Sequence, residues 1–326
     1  TSSYSWTMQN KRLSTSTNYS KSIMTCYSAT CCTRSILFLA FFLGSTFYVL
    51  EKRSAIWFDD QKFAPLDTYE TTEGPCPLPI IYLDGSLVGA FYLVDPSIVQ
   101  SFLPKSMEPL TLPWPINKAI AGLFMFDYRN TSIGSYSEMG LTFQAKQKGS
   151  DASVFFYLCD MVANIYHLDF LLSICEQKTT GLYVSTLPVT TVAAKAAGRE
   201  IWGYNKYVTE MSSTFQNNGL MTFDMQSEFT YELDSNGGSF LPTFTFAGLP
   251  FLTYTEHKDK RIMRTKVHVG HKASWGGSVK LKITGKGPTS NRMSQLKLEQ
   301  LSPVAVFRTD TLRAHLPRGE YIDGKE

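Results

Sequence analysis

Charge is scarce in this chain, and acidic charge is missing altogether from its first 34 residues. Asp, Glu, Lys and Arg make up 18% of the 326 residues, and 31 basic side chains against 28 acidic ones leave a formal charge of +3. So small a basic excess gives no phosphate footprint, which argues against a dedicated nucleic-acid binder. Cysteine is sparse too, and six in the whole chain make no disulfide scaffold. The strongest apolar run, Ser35 to Leu50, holds 16 residues, short of the roughly 20 of a typical bilayer-spanning helix. Also missing are a Gly-x-Ser-x-Gly elbow, a dinucleotide fingerprint and a Gly-x4-Gly-Lys-Ser/Thr phosphate loop, so the common signals for a serine hydrolase, a Rossmann domain or an NTPase are not evident.

What is present is apolar. Hydrophobic residues reach 43% and aromatics 13%, which excludes a wholly disordered chain and supplies a large core. The charge divides unevenly. Residues 1–53 carry six basic side chains against Glu51 alone, leaving 25 basic and 27 acidic residues for the rest. The Ser/Thr-rich, basic stretch 1–34 reads as a flexible tail, because it cannot bury enough surface to offset the entropy of ordering. The run 35–50 fits a signal-anchor helix with Arg34 retained on the cytoplasmic side, a cleaved signal peptide, or a buried part of the fold. The first two make the protein membrane-associated or exported, and the third leaves it cytoplasmic. Cys26, Cys31 and Cys32 precede the run, where lipidation or chance clustering explains them. Residues 51–74 read as a polar linker, and 75–326 as one globular domain.

Within that domain the patterning favours strands. Phe223, Met225, Ser227, Phe229, Tyr231 and Leu233 alternate with mostly polar residues up to the turn at Asp234-Ser-Asn-Gly-Gly238, and Val279, Leu281 and Ile283 alternate before Gly285. Thr243–Phe246, Phe251–Tyr254 and Gly181–Val184 are further strand candidates. Helices are expected at Asp95–Phe102, with Asp95 as N-cap and Pro96 at the first position, at Thr190–Gly198, with Gly198 ending it, and around Ala163–Gln177. No regular βαβ rhythm appears, so a mainly antiparallel barrel or sandwich is expected.

Two local patterns carry chemistry. Ala197-Gly-Arg-Glu-Ile-Trp-Gly-Tyr-Asn-Lys-Tyr207 is an Ala-rich helix opening into an aromatic turn with one lysine, and Tyr136-Ser-Glu138 follows a Gly/Ser turn. Together, in this order, they resemble the acetoacetate decarboxylase superfamily over roughly residues 75–320. The resemblance implies a closed, cone-like antiparallel β-barrel with a few short helices, a homo-oligomer, and no cofactor or metal. It implies Lys206 as a Schiff-base lysine acting on a β-keto acid or related keto compound, and Glu138 as an active-site carboxylate. Tyr136, Tyr204, Trp202 and Arg199 are then substrate-binding candidates, with Arg199 and Glu200 also readable as an ion-paired brace and Trp202 as core.

The pattern departs from the family at three places. Tyr207 stands where a second lysine is expected, Asp84-Gly85 where an arginine is expected, and Leu123 where a second carboxylate is expected. A lysine-dependent aldolase or dehydratase, or a membrane-tethered binding barrel without turnover, therefore stands beside the decarboxylase reading. Other constellations are weaker. His268 and His271 have metal-like spacing but no completing ligand, and with His257 they read as a solvated loop. Thr284–Ser290 resembles a phosphate loop only superficially, and Asn130-Thr-Ser132 is a glycosylation sequon near the proposed site.

Overall fold

The described chain opens with a hairpin whose two-residue turn places Gly74 at φ +107°, a backbone angle that favours glycine. Strands β1 (Asp67–Thr71) and β2 (Gly74–Leu78) pair antiparallel from Asp67↔Leu78 to Thr71↔Gly74. The polar connection expected up to residue 74 is thus strand from Asp67 onward. Four polar residues around Tyr69, paired to a short neighbour, give no apolar alternation to read. The computed structural model describes residues 67–150, 152–153, 180–215, 220–234 and 244–322. The tail at 1–34, the apolar run at 35–50 and the helix expected around 163–177 lie outside them. Among the described residues no helix is long and apolar enough to cross a membrane.

The elements that follow are β3 (Ile80–Val94), helix α1 (Pro96–Phe102), β4 (Met107–Pro109), β5 (Ala119–Thr131), β6 (Tyr136–Gln147), β7 (Thr180–Thr186) and helix α2 (Val192–Ile201). Then come β8 (Ser212–Phe215), β9 (Leu220–Met225), β10 (Phe229–Asp234), β11 (Phe244–Glu256), β12 (Ile262–Trp275), β13 (Ser278–Ile283), helix α3 (Pro288–Gln295), β14 (Ala305–Thr309), β15 (Arg313–Leu316) and β16 (Glu320–Tyr321). Among the described residues, seven strands close on themselves in the order β11-β7-β6-β5-β3-β14-β12, with β12 returning to β11. β15 continues the line of β14 between β3 and β12. The interruption falls at Asp310–Leu312, opposite a register shift in β3 at Asp84 and Gly85. The Leu312 amide bonds Gly85 O there at 2.9 Å. β7 and β11 pair in parallel, and every other strand pair in the barrel is antiparallel. The fold is the mainly β closed barrel that the sequence leads one to expect.

A second sheet, ordered β13-β10-β9-β8, covers one side of the barrel. This layering explains why β3, β5 and β6 are buried or half-buried at most positions. On β5, Ala121, Leu123 and Met125 join a core shared with Phe223, Phe229 and Leu233 of the second sheet, while Phe124 and Tyr128 join the lumen core. Strands buried on both faces read as continuous runs, and each fully buried large side chain contributes ~1.5–3 kcal/mol. The alternating run Phe223–Leu233 is two strands, with Met225 paired to Phe229 and Phe223 to Tyr231. The three-residue turn keeps the parity, so alternation alone does not reveal it. Likewise Thr243–Phe246 and Phe251–Tyr254 belong to the single long strand β11, except Thr243, which lies outside the described residues.

Helix α1 is capped as its sequence implies, the Asp95 carboxylate accepting from the Ser97 amide at 2.8 Å. Helix α2 starts at the Thr191 cap but runs through Gly198 to Ile201. The glycine that ends it is Gly203, at φ +70°. His268 and His271 lie on strand β12 rather than in a loop. Both ring nitrogens of His257 are engaged, Nδ1 with the Tyr321 hydroxyl at 2.9 Å and Nε2 with Glu200 O at 3.3 Å. No group of potential metal ligands assembles among the described residues.

Candidate active site

Glu138 and Lys206 are far apart in sequence and meet inside the barrel. The segment Leu187–Thr190 is the spacer that sets their distance. Its Val189 bridges Glu138 on one side and Val208 on the other. The amides of Leu187 and Val189 bond Asn205 O and Tyr207 O at 3.0 and 2.9 Å, and the Met139 amide bonds Pro188 O at 3.1 Å. The segment 187–190 is therefore added beside β6, and the loop that carries Lys206 is added in turn beside that segment, like a short strand. Lys206 Nζ lies 2.6 Å from Glu138 Oε2, and the two residues are 5% and 7% exposed. Two opposite charges this deeply buried lose their hydration, and only close pairing offsets that cost.

Gly198 makes room for the lysine. A Cβ at that position would sit 2.4 Å from both Cδ and Cε of Lys206, so the aliphatic stem runs flat against the helix backbone. Arg199 lies behind the loop, its Nη1 donating to Lys206 O at 3.4 Å. Glu200 does not pair with Arg199; its carboxylate takes the Thr72 hydroxyl at 2.6 Å and the Thr72 amide at 3.2 Å, tying α2 to the first hairpin. Trp202 is fully buried, with its indole N–H donating to Pro317 O at 2.8 Å. Arg199 and Trp202, expected among the substrate-binding residues, line no part of the cavity. One side chain is used up by a backbone carbonyl and the other by core packing.

The cavity around the pair measures about 130 Å³, near the size that takes up a benzene-sized molecule. Its wall is mostly aliphatic and aromatic: Phe124, Phe126 and Tyr128 from β5, Leu182 and Val184 from β7, Val267 and Val269 from β12, and Leu312 at the β14–β15 break. Tyr82, Tyr128 and Tyr204 line it, while Tyr136, also expected among the substrate-binding residues, is absent from the wall and lies beside the amine. The Tyr136 ring centroid is 5.6 Å from Lys206 Nζ and that of Tyr204 is 6.0 Å, a distance at which a ring face attracts a cation. Tyr82 and Tyr136 share a hydroxyl–hydroxyl hydrogen bond of 3.0 Å, and Tyr204 shares one of 2.9 Å with Thr253. Tyr128 lines the cavity together with Glu138. Burial holds the phenols of Tyr82, Tyr128 and Tyr136 well above the ordinary tyrosine value, and the Glu138 carboxylate adds to the effect. Tyr204 is pushed up to about 12, again by burial first. All four stay protonated. Burial likewise pushes the Cys76 thiol up to about 11, against the opposing pull of Lys206.

Tyr82, Tyr128 and Thr253 were not singled out by sequence reasoning. Their signal is present for two of them, since Phe124, Phe126 and Tyr128 repeat at every second residue and Tyr82 opens β3. A buried carboxylate was also missed. Glu228, 2% exposed, accepts the Thr289 and Ser290 amides at 3.0 and 2.7 Å at the start of α3 and the Tyr207 hydroxyl at 2.5 Å. The phosphate-loop-like stretch 284–290 thus folds around this protein's own anion, and a Cβ on Gly287 would lie 2.2 Å from Glu228 Cδ. Tyr207 is turned toward Glu228 and is absent from the cavity wall.

The closed β-barrel thus holds a buried amine against a carboxylate in a largely apolar cavity of small-molecule size. The family model described as acetoacetate decarboxylase matches residues 63–319, and the chain belongs to that family. Among solved structures it is similar to an acetoacetate decarboxylase from Legionella pneumophila, with 16% identity over 82% of this chain and 94% of that one and a TM-score of 0.48. A second acetoacetate decarboxylase structure aligns at 17% identity over 81% of this chain and 96% of that one, with a TM-score of 0.49. An acetoacetate decarboxylase-like enzyme from Sphingomonas wittichii aligns at 9% identity over 75% and 93%, with a TM-score of 0.44. No curated protein sequence matches the chain.

Proposed function

We propose that this protein is a lyase that works through an iminium between Lys206 and a keto compound, making or breaking the carbon–carbon bond beside the carbonyl. The observation that carries the reading is the buried contact of 2.6 Å between the Lys206 amine and Glu138 in an apolar cavity. Only a primary amine forms such an adduct, and it attacks as the neutral base. Glu138 is placed to take the ammonium proton. The nitrogen lone pair then adds to the carbonyl carbon, and the proton shifts from nitrogen to oxygen to give the carbinolamine. Glu138 returns its proton to that hydroxyl, water leaves, and the nitrogen lone pair closes the C=N bond. One ammonium–carboxylate pair has become one iminium–carboxylate pair, with one water released. The iminium accepts the electron pair of the bond that breaks next, so no further electron sink is required.

Borohydride trapping tests this directly. The protein is incubated with small ketones and keto acids, reduced, digested and mapped by mass spectrometry. A reduced adduct on Lys206 supports the reading, and its absence with every carbonyl compound offered leaves the cavity as a binding site without Schiff-base chemistry.

A further inference from the structure

The charges in the cavity restrict what the amine can take. Among the described residues, Lys206 is the only cation lining the lumen, and Glu138 is the only anion. Arg129, on the strand that supplies Phe126 and Tyr128, is held elsewhere. Its guanidinium makes two hydrogen bonds to Asp84, of 2.8 and 2.6 Å, and another to Ser86 Oγ at 2.5 Å. Tyr207, next to the reactive lysine, hydrogen-bonds Glu228 and Thr289 rather than facing the cavity. Of the phenols that line it, Tyr82 is engaged with Tyr136 and Tyr204 with Thr253.

A substrate carboxylate in this lumen would therefore find no counterion among the described residues. The lysine charge is already matched by Glu138 as ammonium, and it is matched again as iminium. An acid would leave one buried negative charge uncompensated at each stage, beside a carboxylate and against aliphatic walls. An uncharged carbonyl compound keeps the site neutral from entry to iminium. It also keeps it neutral one step further, when the Glu138 carboxylate removes a proton from the carbon beside the iminium. The electrons of that C–H bond then form the enamine C=C as those of C=N return to nitrogen.

The geometry points to an uncharged, apolar ketone or aldehyde as the substrate class of this site, with enamine formation rather than loss of carbon dioxide as its chemistry. This rests on the Schiff-base reading of Lys206 and narrows it. The enamine carbon is the nucleophile of an aldol addition and, run in reverse, the leaving carbon of a retro-aldol cleavage.

Acetoacetate and methyl isobutyl ketone make the deciding pair, because an isopropyl group replaces the carboxylate atom for atom. Each is offered to the full chain with borohydride, and the rate of Lys206 labelling is measured over a concentration series. In parallel, the ketone is incubated in heavy water and its exchange beside the carbonyl is followed by proton NMR. Labelling by the ketone about 100-fold more efficient than by the acid, with exchange that Lys206→Ala abolishes, is the expected result. Equal or faster labelling by acetoacetate overturns the inference and leaves the Schiff base standing. Labelling by neither compound overturns both. Phe126→Arg supplies an independent arm, since Phe126 lies in the cavity wall and is only partly buried. A cation there should shift the labelling ratio toward the acid by at least about tenfold, and an unchanged ratio in a folded variant counts against the inference.

Discussion

Replacing Gly198 by alanine tests whether the helix backbone seats the lysine. In a helix interior, glycine-to-alanine ordinarily stabilises by ~0.5–1 kcal/mol. Here the added methyl would lie 2.4 Å from both Cδ and Cε of Lys206, where carbon atoms pack at about 3.5–4.0 Å. The stem must retreat by more than about 1 Å, and the backbone cannot yield because Gly198 O accepts the Tyr204 amide at 3.0 Å. Overpacking of this kind costs ~1–3 kcal/mol, so Gly198→Ala is expected to be neutral to destabilising by up to ~2 kcal/mol. Function suffers more. The amine loses its 2.6 Å contact with Glu138, and a displacement of about 1 Å can cost ~100-fold in rate. Urea unfolding and the rate of borohydride labelling on Lys206 read the two effects separately. A variant that is more stable by the full helix increment and labels as fast as the parent would refute the argument.

Glu138→Gln leaves a buried ammonium without its counterion and removes the proton carrier. Breaking such a pair costs ~3–5 kcal/mol, and labelling of Lys206 should slow by ~100-fold; unaltered labelling at neutral pH would remove Glu138 from the chemistry. Tyr207→Phe deletes the donor to Glu228 Oε1 and the 2.7 Å bond to Thr289, for a loss of ~1–3 kcal/mol in urea unfolding and no change in labelling rate; a collapse of labelling in a folded variant would place Tyr207 inside the site. The phenols of Tyr82, Tyr128 and Tyr136 are held well above the ordinary value. The unfolded chain releases those protons near pH 10 while the folded one keeps them, so the folded state binds more protons and loses stability as pH rises. Each contributes nothing below pH ~10 and ~1.4 kcal/mol of loss per pH unit above it. Urea midpoints from pH 9 to 11 should fall while the ultraviolet phenolate signal of the folded protein accounts for fewer tyrosines than the unfolded one; a flat midpoint would show these phenols to be ordinary. Cys76, with its thiol pushed up to about 11 by burial, should resist alkylation at pH 8 until the protein unfolds, and rapid modification of the native chain would contradict its burial.

The parts of this fold that were legible in the sequence are those with one buried face or one obligatory residue. β13 alternates because its Lys280 and Lys282 meet solvent, and α1 is announced by Asp95 and Pro96. The site was legible where chemistry demands a residue type. Lys206 must be an amine, whereas Gly198, expected to end its helix, is shown to seat the lysine stem only by the structure. What stayed hidden depends on three-dimensional neighbours. Glu228 has an ordinary surface context in the sequence and becomes essential to packing only when the start of α3 folds over it. Tyr82 and Tyr128 sit in β3 and β5, strands buried on both faces, where no polar alternation marks the inner side.

The two missing charges show how far the strand geometry can settle a sequence alignment. Leu123, the position matched to a second family carboxylate, points away from the lumen into the core shared with the second sheet. A slip of one residue would bring Phe124 to that place instead, and Phe124 does line the cavity. Either register puts an apolar side chain there. The arginine expected near Asp84-Gly85 meets the same test. Asp84 turns outward to pair with Arg129 at 2.6 Å, and a Cβ on Gly85 would meet Asp127 O at 3.0 Å, leaving that side of the strand closed by backbone. The absence of both charges from the described lumen therefore does not depend on how the chain is aligned. It follows from which side chains the barrel turns inward, and it leaves Lys206 and Glu138 as a self-balanced pair.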